Sequence, residues 1–330
     1  MSISPEADEK ARFSARDSLA CKHSACRMKY FEDPYVEKVF LALNDLGGKT
    51  PIRRSPIIHR GYYARYESFT RAMNKFLSKG SQPKQIVFLG SGFDTLPLVA
   101  YNQSDCKVTT FDVDFQEVMR KKAEVFSSIP EIVSLLNTEE SLPMISPQHA
   151  RLGAHTFIGQ DLRNGKGVVS ALSECGLDCS LPTLILSECV LVYMTKDGTM
   201  SLCSELGQYL QSEALWMTYD MITPNDIYGR NMIRNLQGVG FEIPGIKDFP
   251  TLEDQKNRFL HTNWTEARAC TMRQYYDALM QTIDERERLF KLEILDEVEE
   301  WNMLMDHYAL TIAAKGVEND TVEDILSIIV

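Results

Sequence analysis

Up to residue 80 the apolar positions of this chain recur at helical spacing. Residues 1–20 read as a polar arm leading into a helix. The segment DPYVEKVFLALNDL (33–46) places apolar side chains three and four residues apart and stops at Gly47-Gly48. Residues 49–60, KTPIRRSPIIHR, hold two prolines and no acid, and read as an irregular, basic segment. Over 61–80 Tyr62, Tyr66, Phe69, Met73, Phe76 and Leu77 share one helical face, which Gly80 ends. Beyond residue 80 the period changes. Short apolar or β-branched runs predict strands over 85–90, 107–114, 155–162, 181–194, 213–222, 263–272 and 307–316. Between them, amphipathic runs predict helices over 115–126, 196–210, 224–237 and 284–305. A run such as QIVFLG, almost wholly apolar, suits a strand buried on both sheet faces. Strand–helix alternation builds an α/β fold with a mostly parallel, doubly wound sheet. Sheets of this kind bind ligands beyond the carboxyl ends of their strands. The expected organisation is an N-terminal arm and helical cover (1–80) and an α/β core with helical insertions (81–330), forming one unit.

Charge and composition narrow the function. A net charge of −11 over 330 residues disfavours a bulk electrostatic grip on nucleic acid or anionic lipid. The first residues, MSISPEADEKARF, lack the apolar stretch of a secretory signal, and no run approaches the roughly 18 apolar residues of a membrane span. Eight cysteines without CxxC spacing read as reduced thiols of a cytoplasmic protein, with the nucleus also open to it. Six scattered histidines show no HxxxH or HExxH, so no metal site is expected. Neither a nucleic acid nor a membrane is an expected partner, and the chain is expected to be a monomer.

The chemistry gathers at the predicted strand ends. After the first strand come Gly90-Ser91-Gly92, where missing β-carbons let the backbone approach a ligand closely. Thr95 stands where a dinucleotide fingerprint needs its third glycine, and no Gly-Lys-Ser/Thr follows. Asp112 and Asp114 end the next strand, placed for a ribose diol. Asp161 ends the following one, where an adenine amino group would lie, and Glu188 sits in the next. Singly, each acid can be a helix cap or a loop end. As a series they oppose a pyrophosphate and suit a nucleoside bearing a positive sulfonium, S-adenosylmethionine.

Several longer stretches carry a family resemblance: LACKHSA (19–25), RGYYAR (60–65), IVFLGSGFDT (86–95), FDVDF (111–115), GQDL (159–162), LPTLILSECVLVYM (181–194), NDIYGRNMIRNL (225–236), LEILDEVEEW (292–301) and HYALTIAAKG (307–316). In these the chain resembles the leucine carboxyl methyltransferases, which methylate the C-terminal leucine of the protein phosphatase 2A catalytic subunit. The resemblance implies the class I, Rossmann-like methyltransferase fold, with a seven-stranded sheet and N-terminal helices covering the cofactor. It implies that Lys22, Arg65, Gly90, Asp114, Asp161, Leu162 and Glu188 surround S-adenosylmethionine; Gly92 of the same turn is a further cofactor-binding candidate. The implied partner is the phosphatase tail. A sibling branch that modifies a guanosine of tRNA carries a large C-terminal extension and is not the expected match. A small-molecule O-methyltransferase and a non-catalytic phosphatase-binding regulator are the alternative readings.

An α-carboxylate acceptor, with a reference pKa of roughly 3.5, is already ionised at neutral pH and needs no general base. Methyl transfer from a cationic donor then depends on alignment and exclusion of water. Arg65 is expected to hold the cofactor carboxylate, and Lys22 to assist it or bridge to the acceptor; helical spacing from Tyr62 and Tyr66 also allows Arg65 a plain surface place. Tyr193 either orients the acceptor or serves as a core aromatic. The basic segment from Lys49 to Arg65 either guides an anionic tail or is a solvated loop. Tyr219-Asp220 is placed to touch a peptide.

Overall fold

The computed structural model describes residues 5–44, 53–102, 107–136 and 144–317. The expected stop at Gly47-Gly48 and the first part of the 49–60 segment lie outside them. Nine strands form one sheet among these residues: β1 (Lys84–Leu89), β2 (Val108–Asp114), β3 (Met144–Ser146), β4 (His149–Leu152), β5 (His155–Gly159), β6 (Thr183–Glu188), β7 (Ala214–Met221), β8 (Glu266–Thr271) and β9 (Tyr308–Lys315). The order is β3-β4-β5-β2-β1-β6-β7-β9-β8. The central run β5-β2-β1-β6-β7 is parallel throughout, and β9 inserts antiparallel between β7 and β8. Seven strands therefore match the expected sheet. The short hairpin β3–β4 extends it antiparallel beyond β5; its segments are too short for periodicity to reveal.

Alternation along the central strands divides the core in two. Ile86 and Phe88 of β1 join a cluster on one face, with Leu184 and Leu186 of β6 and Leu310 and Ile312 of β9. Val87 and Leu89 join the other, with Phe111, Ile185 and Trp216. The first face is covered by α1 (Pro5–Arg27), α2 (Val36–Asn44), α3 (Pro56–Ser78), α4 (Leu96–Asn102), α5 (Gln116–Ser127) and α6 (Pro130–Leu135). The second is covered by α7 (Gly165–Glu174) and α8 (Lys196–Tyr209). Further on come α9 (Ile227–Gly238), α10 (Gly245–Asp248), α11 (Leu252–Leu260), α12 (Met272–Leu279), α13 (Ile283–Leu292) and α14 (Val298–Asp306).

Four expectations need correction. The polar arm is helical from Pro5, as the first turns of α1. Helix α3 starts at Pro56, inside the supposedly irregular segment, because proline at the first helical turn lacks only an N–H that would have no helical partner. The strand expected over 181–194 ends at Glu188; Cys189 takes φ +53° and Leu191–Tyr193 form a 3₁₀ turn. The single long helix over 284–305 is two helices, parted where Glu293 adopts an extended backbone and turns its carboxylate inward onto His59.

Candidate functional site

Parallel register brings the carboxyl ends of β1, β2, β5 and β6 to one edge, and there they open into a cavity of about 350 Å³. Helix α1 and helix α3 supply its cover, through Asp8, Ala15, Lys22, Tyr62 and Arg65 among others. The glycine turn forms the floor. Gly90 has φ +62°, and a β-carbon on it would fall 2.5 Å from a methyl of Val190. Gly92 has φ +49°, and its added carbon would lie 2.9 Å from that of Ala15. Both the backbone conformation and the closeness of the neighbours demand glycine.

Asp114 is held against this turn. Its carboxylate accepts from the Gly92 N–H at 2.8 Å and from the Phe115 N–H at 2.7 Å, while burial pushes its pKa above the ordinary aspartate value. Asp112 does not share the cavity. It is fully buried with Lys122 Nζ at 2.6 Å and His155 Nε2 at 3.2 Å from its Oδ2, contacts close in distance but off the direction of a hydrogen bond. It belongs to the support beneath the site, not to the ribose-binding series. Asp161 lines the cavity and is gripped by Arg163 at 2.6–3.0 Å; Arg163 also reaches Asp8 on α1, with two contacts of 2.9 Å. Leu162 lies beside them.

On the opposite wall Arg65 donates from Nε and Nη2 to Glu188 at 3.3 and 3.2 Å. Its guanidinium lies between the rings of Tyr62 and Tyr219, 4.9 and 4.8 Å from their centroids. The surface alternative for Arg65 is thereby removed. Tyr219 stacks on Tyr308, and it is Tyr308 that lines the cavity. Asp220 is buried in an ion pair with Arg258 at 2.9 Å. Neither member of the Tyr219-Asp220 pair lines the cavity, so its expected contact with a peptide is corrected to a supporting place. Lys22 lines the cavity and puts Nζ 2.5 Å from Asp94, 2.9 Å from Asp33 and 3.0 Å from Thr95 Oγ1. Burial opposes its charge, but Asp33 and Asp94 outweigh it and hold the pKa above that of an ordinary lysine. Burial likewise raises the Glu188 carboxyl, with Arg65 opposing it. Tyr193, in the 3₁₀ turn, also lines the cavity, 6.1 Å from the ring of Phe241.

The described arginines of the basic segment are divided among partners. Arg53 pairs with Glu293, Arg54 with Asp17, and Arg60 with the Tyr276 hydroxyl and the Glu293 carbonyl. Seven carboxylates and three cations line the cavity. Such a site favours a ligand with positive charge and a diol to meet Asp114. Among the described residues, no three His, Cys, Asp or Glu gather as metal ligands would.

The sequence profile described as leucine carboxyl methyltransferase matches residues 11–207, from α1 through α8. The chain belongs to the leucine carboxyl methyltransferase family. It is similar to the leucine carboxyl methyltransferase 1 homolog of Arabidopsis thaliana, with 34% identity covering 92% of this chain and 90% of that one. Leucine carboxyl methyltransferase 1 of Rattus norvegicus is 30% identical over 94% and 91%. The tRNA wybutosine-synthesizing protein 4 of Homo sapiens is 32% identical over 91% of this chain but only 43% of its own length. Membership of the leucine carboxyl methyltransferase family makes the chain a methyltransferase. Sequence reasoning missed Asp8 and Arg163, which close the cavity edge over Asp161. An arginine two residues beyond Asp161 was visible, but its distant partner on a helix read as a polar arm was not.

Proposed function

We propose that this protein is an S-adenosylmethionine-dependent methyltransferase that esterifies the C-terminal leucine α-carboxylate of the protein phosphatase 2A catalytic subunit, in the cytoplasm or nucleus. Esterification removes a charge from the tail, which gives it the means to regulate assembly of the phosphatase holoenzyme. S-adenosylmethionine supplies, when bound, an electrophilic methyl group. The residues fit it: Asp114 is placed for a ribose diol, Asp161 and Leu162 for the adenine side, and Arg65 with Lys22 for the amino-acid end. The glycine turn holds Asp114 through the Gly92 N–H.

One observation carries the choice of a carboxylate acceptor. Among the described residues no histidine lines the cavity, and most of its carboxylates are firmly engaged: Asp94 by Lys22, Asp114 by two backbone N–H groups, Asp8 and Asp161 by Arg163 and Glu188 by Arg65, while Asp17 sits in an exposed pair with Arg54. Glu242 is not free either. The lining Cys189 and Tyr62 are pushed up to about 12 by burial. An acceptor that arrives ionised suits such a site; a phenol or alcohol wants a base near its working pH. Tyr193 and the neighbouring Phe241 are placed to shape the acceptor side and exclude water.

Methyl-labelled S-adenosylmethionine is the direct test, with intact phosphatase catalytic subunit and with a version lacking its last leucine. Base-labile label on the intact subunit alone is the expected result. No label on either, with cofactor binding confirmed, would move the assignment to a small-molecule acceptor or to a non-catalytic phosphatase-binding role. Label on tRNA instead would favour kinship with the wybutosine-synthesizing relative.

A further inference from the structure

Arg54 stands apart from the other cations near the cavity. Arg65, Lys22 and Arg163 line the cavity itself and each is tied to acids there or just behind it. Arg54 reaches Asp17 from outside: its Nη2 lies 2.5 Å from Oδ1 of this cavity-lining acid on α1, whose side chain is 68% exposed. Its Nε is buried with no hydrogen-bond partner. Nη2 is thus met only by an exposed acid, while Nε is shut away from solvent. Asp17 lines the same cavity as Arg65.

The backbone that presents this guanidinium is held from within. The Arg54 N–H donates to Ser24 Oγ at 3.1 Å; Ser24 Oγ lies 2.8 Å from His59 Nε2; His59 Nδ1 lies 2.6 Å from Glu293 Oε2. All three relay residues are buried. Their order is that of a serine–histidine–acid triad, but Ser24 lies outside the cavity, so the relay acts as a scaffold that sets Arg54 in place.

We infer that Arg54 recognises the anionic terminus of the acceptor, with Asp17 occupying the guanidinium until the acceptor arrives. This rests on the carboxylate-acceptor reading above and names the residue that selects for it. An exposed ion pair contributes little, so exchange of Asp17 for an incoming carboxylate is easy. A carboxylate that takes the place of Asp17 at Nη2 makes a charge-assisted hydrogen bond to the guanidinium. Capture at the rim leaves the reacting oxygen unblunted when it moves inward.

The test is equilibrium binding to the protein loaded with S-adenosylhomocysteine. The probes are a phosphatase-tail peptide ending in free leucine carboxylate and the same peptide as its amide. The wild type should prefer the carboxylate. Arg54→Ala should weaken that peptide about ten-fold or more and abolish the preference, with S-adenosylhomocysteine affinity unchanged. Arg54→Lys should recover part of it, and Asp17→Asn should tighten it. Wild-type indifference to the carboxylate, or equal losses for both peptides in Arg54→Ala, would overturn the inference. Carboxylate-selective, Arg54-dependent binding without methyl transfer would leave Arg54 assigned and remove the methyl-ester reading instead.

Discussion

Arg65 shows how one side chain is made useful by its surroundings. Two tyrosine rings fix the plane of the guanidinium, and Glu188 takes two of its donors, leaving the rest for a ligand. Arg65→Ala should weaken S-adenosylmethionine binding by about 10- to 100-fold, the size expected for hydrogen bonds to a charged group. Calorimetry that finds the affinity unchanged would contradict its place at the cofactor. At this scale the sequence was informative where chemistry is local. Gly90, Gly92 and Asp114 could be read because strand end, turn and acid follow one another along the chain. Asp112 and Asp114 could not be told apart, since both end one strand; the difference is made by Lys122 and His155, which approach only one of them.

At the scale of elements, that buried pair ties α5 to β2 and β5 directly beneath the glycine turn, with Lys122 also 3.4 Å from Ser91 Oγ. Removing one partner strands the other. Asp112→Ala should cost about 3–5 kcal/mol in urea denaturation, and Lys122→Met in the same chain should recover most of it. A loss under about 1 kcal/mol would show the pair to be idle. Burial opposes ionisation of Asp112, but Lys122 and His155 hold its pKa below the ordinary value. Its contribution is therefore complete above about pH 4 and lost as pH falls through the lowered folded value. Periodicity located most of the large elements, because burial on a sheet face or helix stripe imprints on composition. Of the four assignments it placed wrongly, two show why. The break at Glu293 is set by His59, 234 residues away along the chain, and nothing nearby announces it. The end of β6 is set by the turn at Cys189, which an unbroken apolar run conceals.

Across the whole molecule, the N-terminal helices and the sheet edge enclose the cavity jointly. On the proposed reading, the acceptor is a flexible terminus that must enter this cavity. A free peptide loses conformational freedom on doing so; a tail presented by a folded subunit has part of its position already set. The intact phosphatase subunit should then show a kcat/KM at least about ten-fold above that of its isolated tail peptide. Equal values at matched concentrations would mean that the last residues alone are recognised.

The cations that line the cavity come with their own counter-ions. A polyanion such as a nucleoside triphosphate would have to expel several carboxylates and then face those that remain. A zwitterion brings charges of both signs and can exchange one internal pair for another, leaving the local balance nearly unchanged. On the proposed reading the cavity is a filter on charge pattern, one that would pass over abundant adenine nucleotides in favour of an adenosine that carries an amino acid.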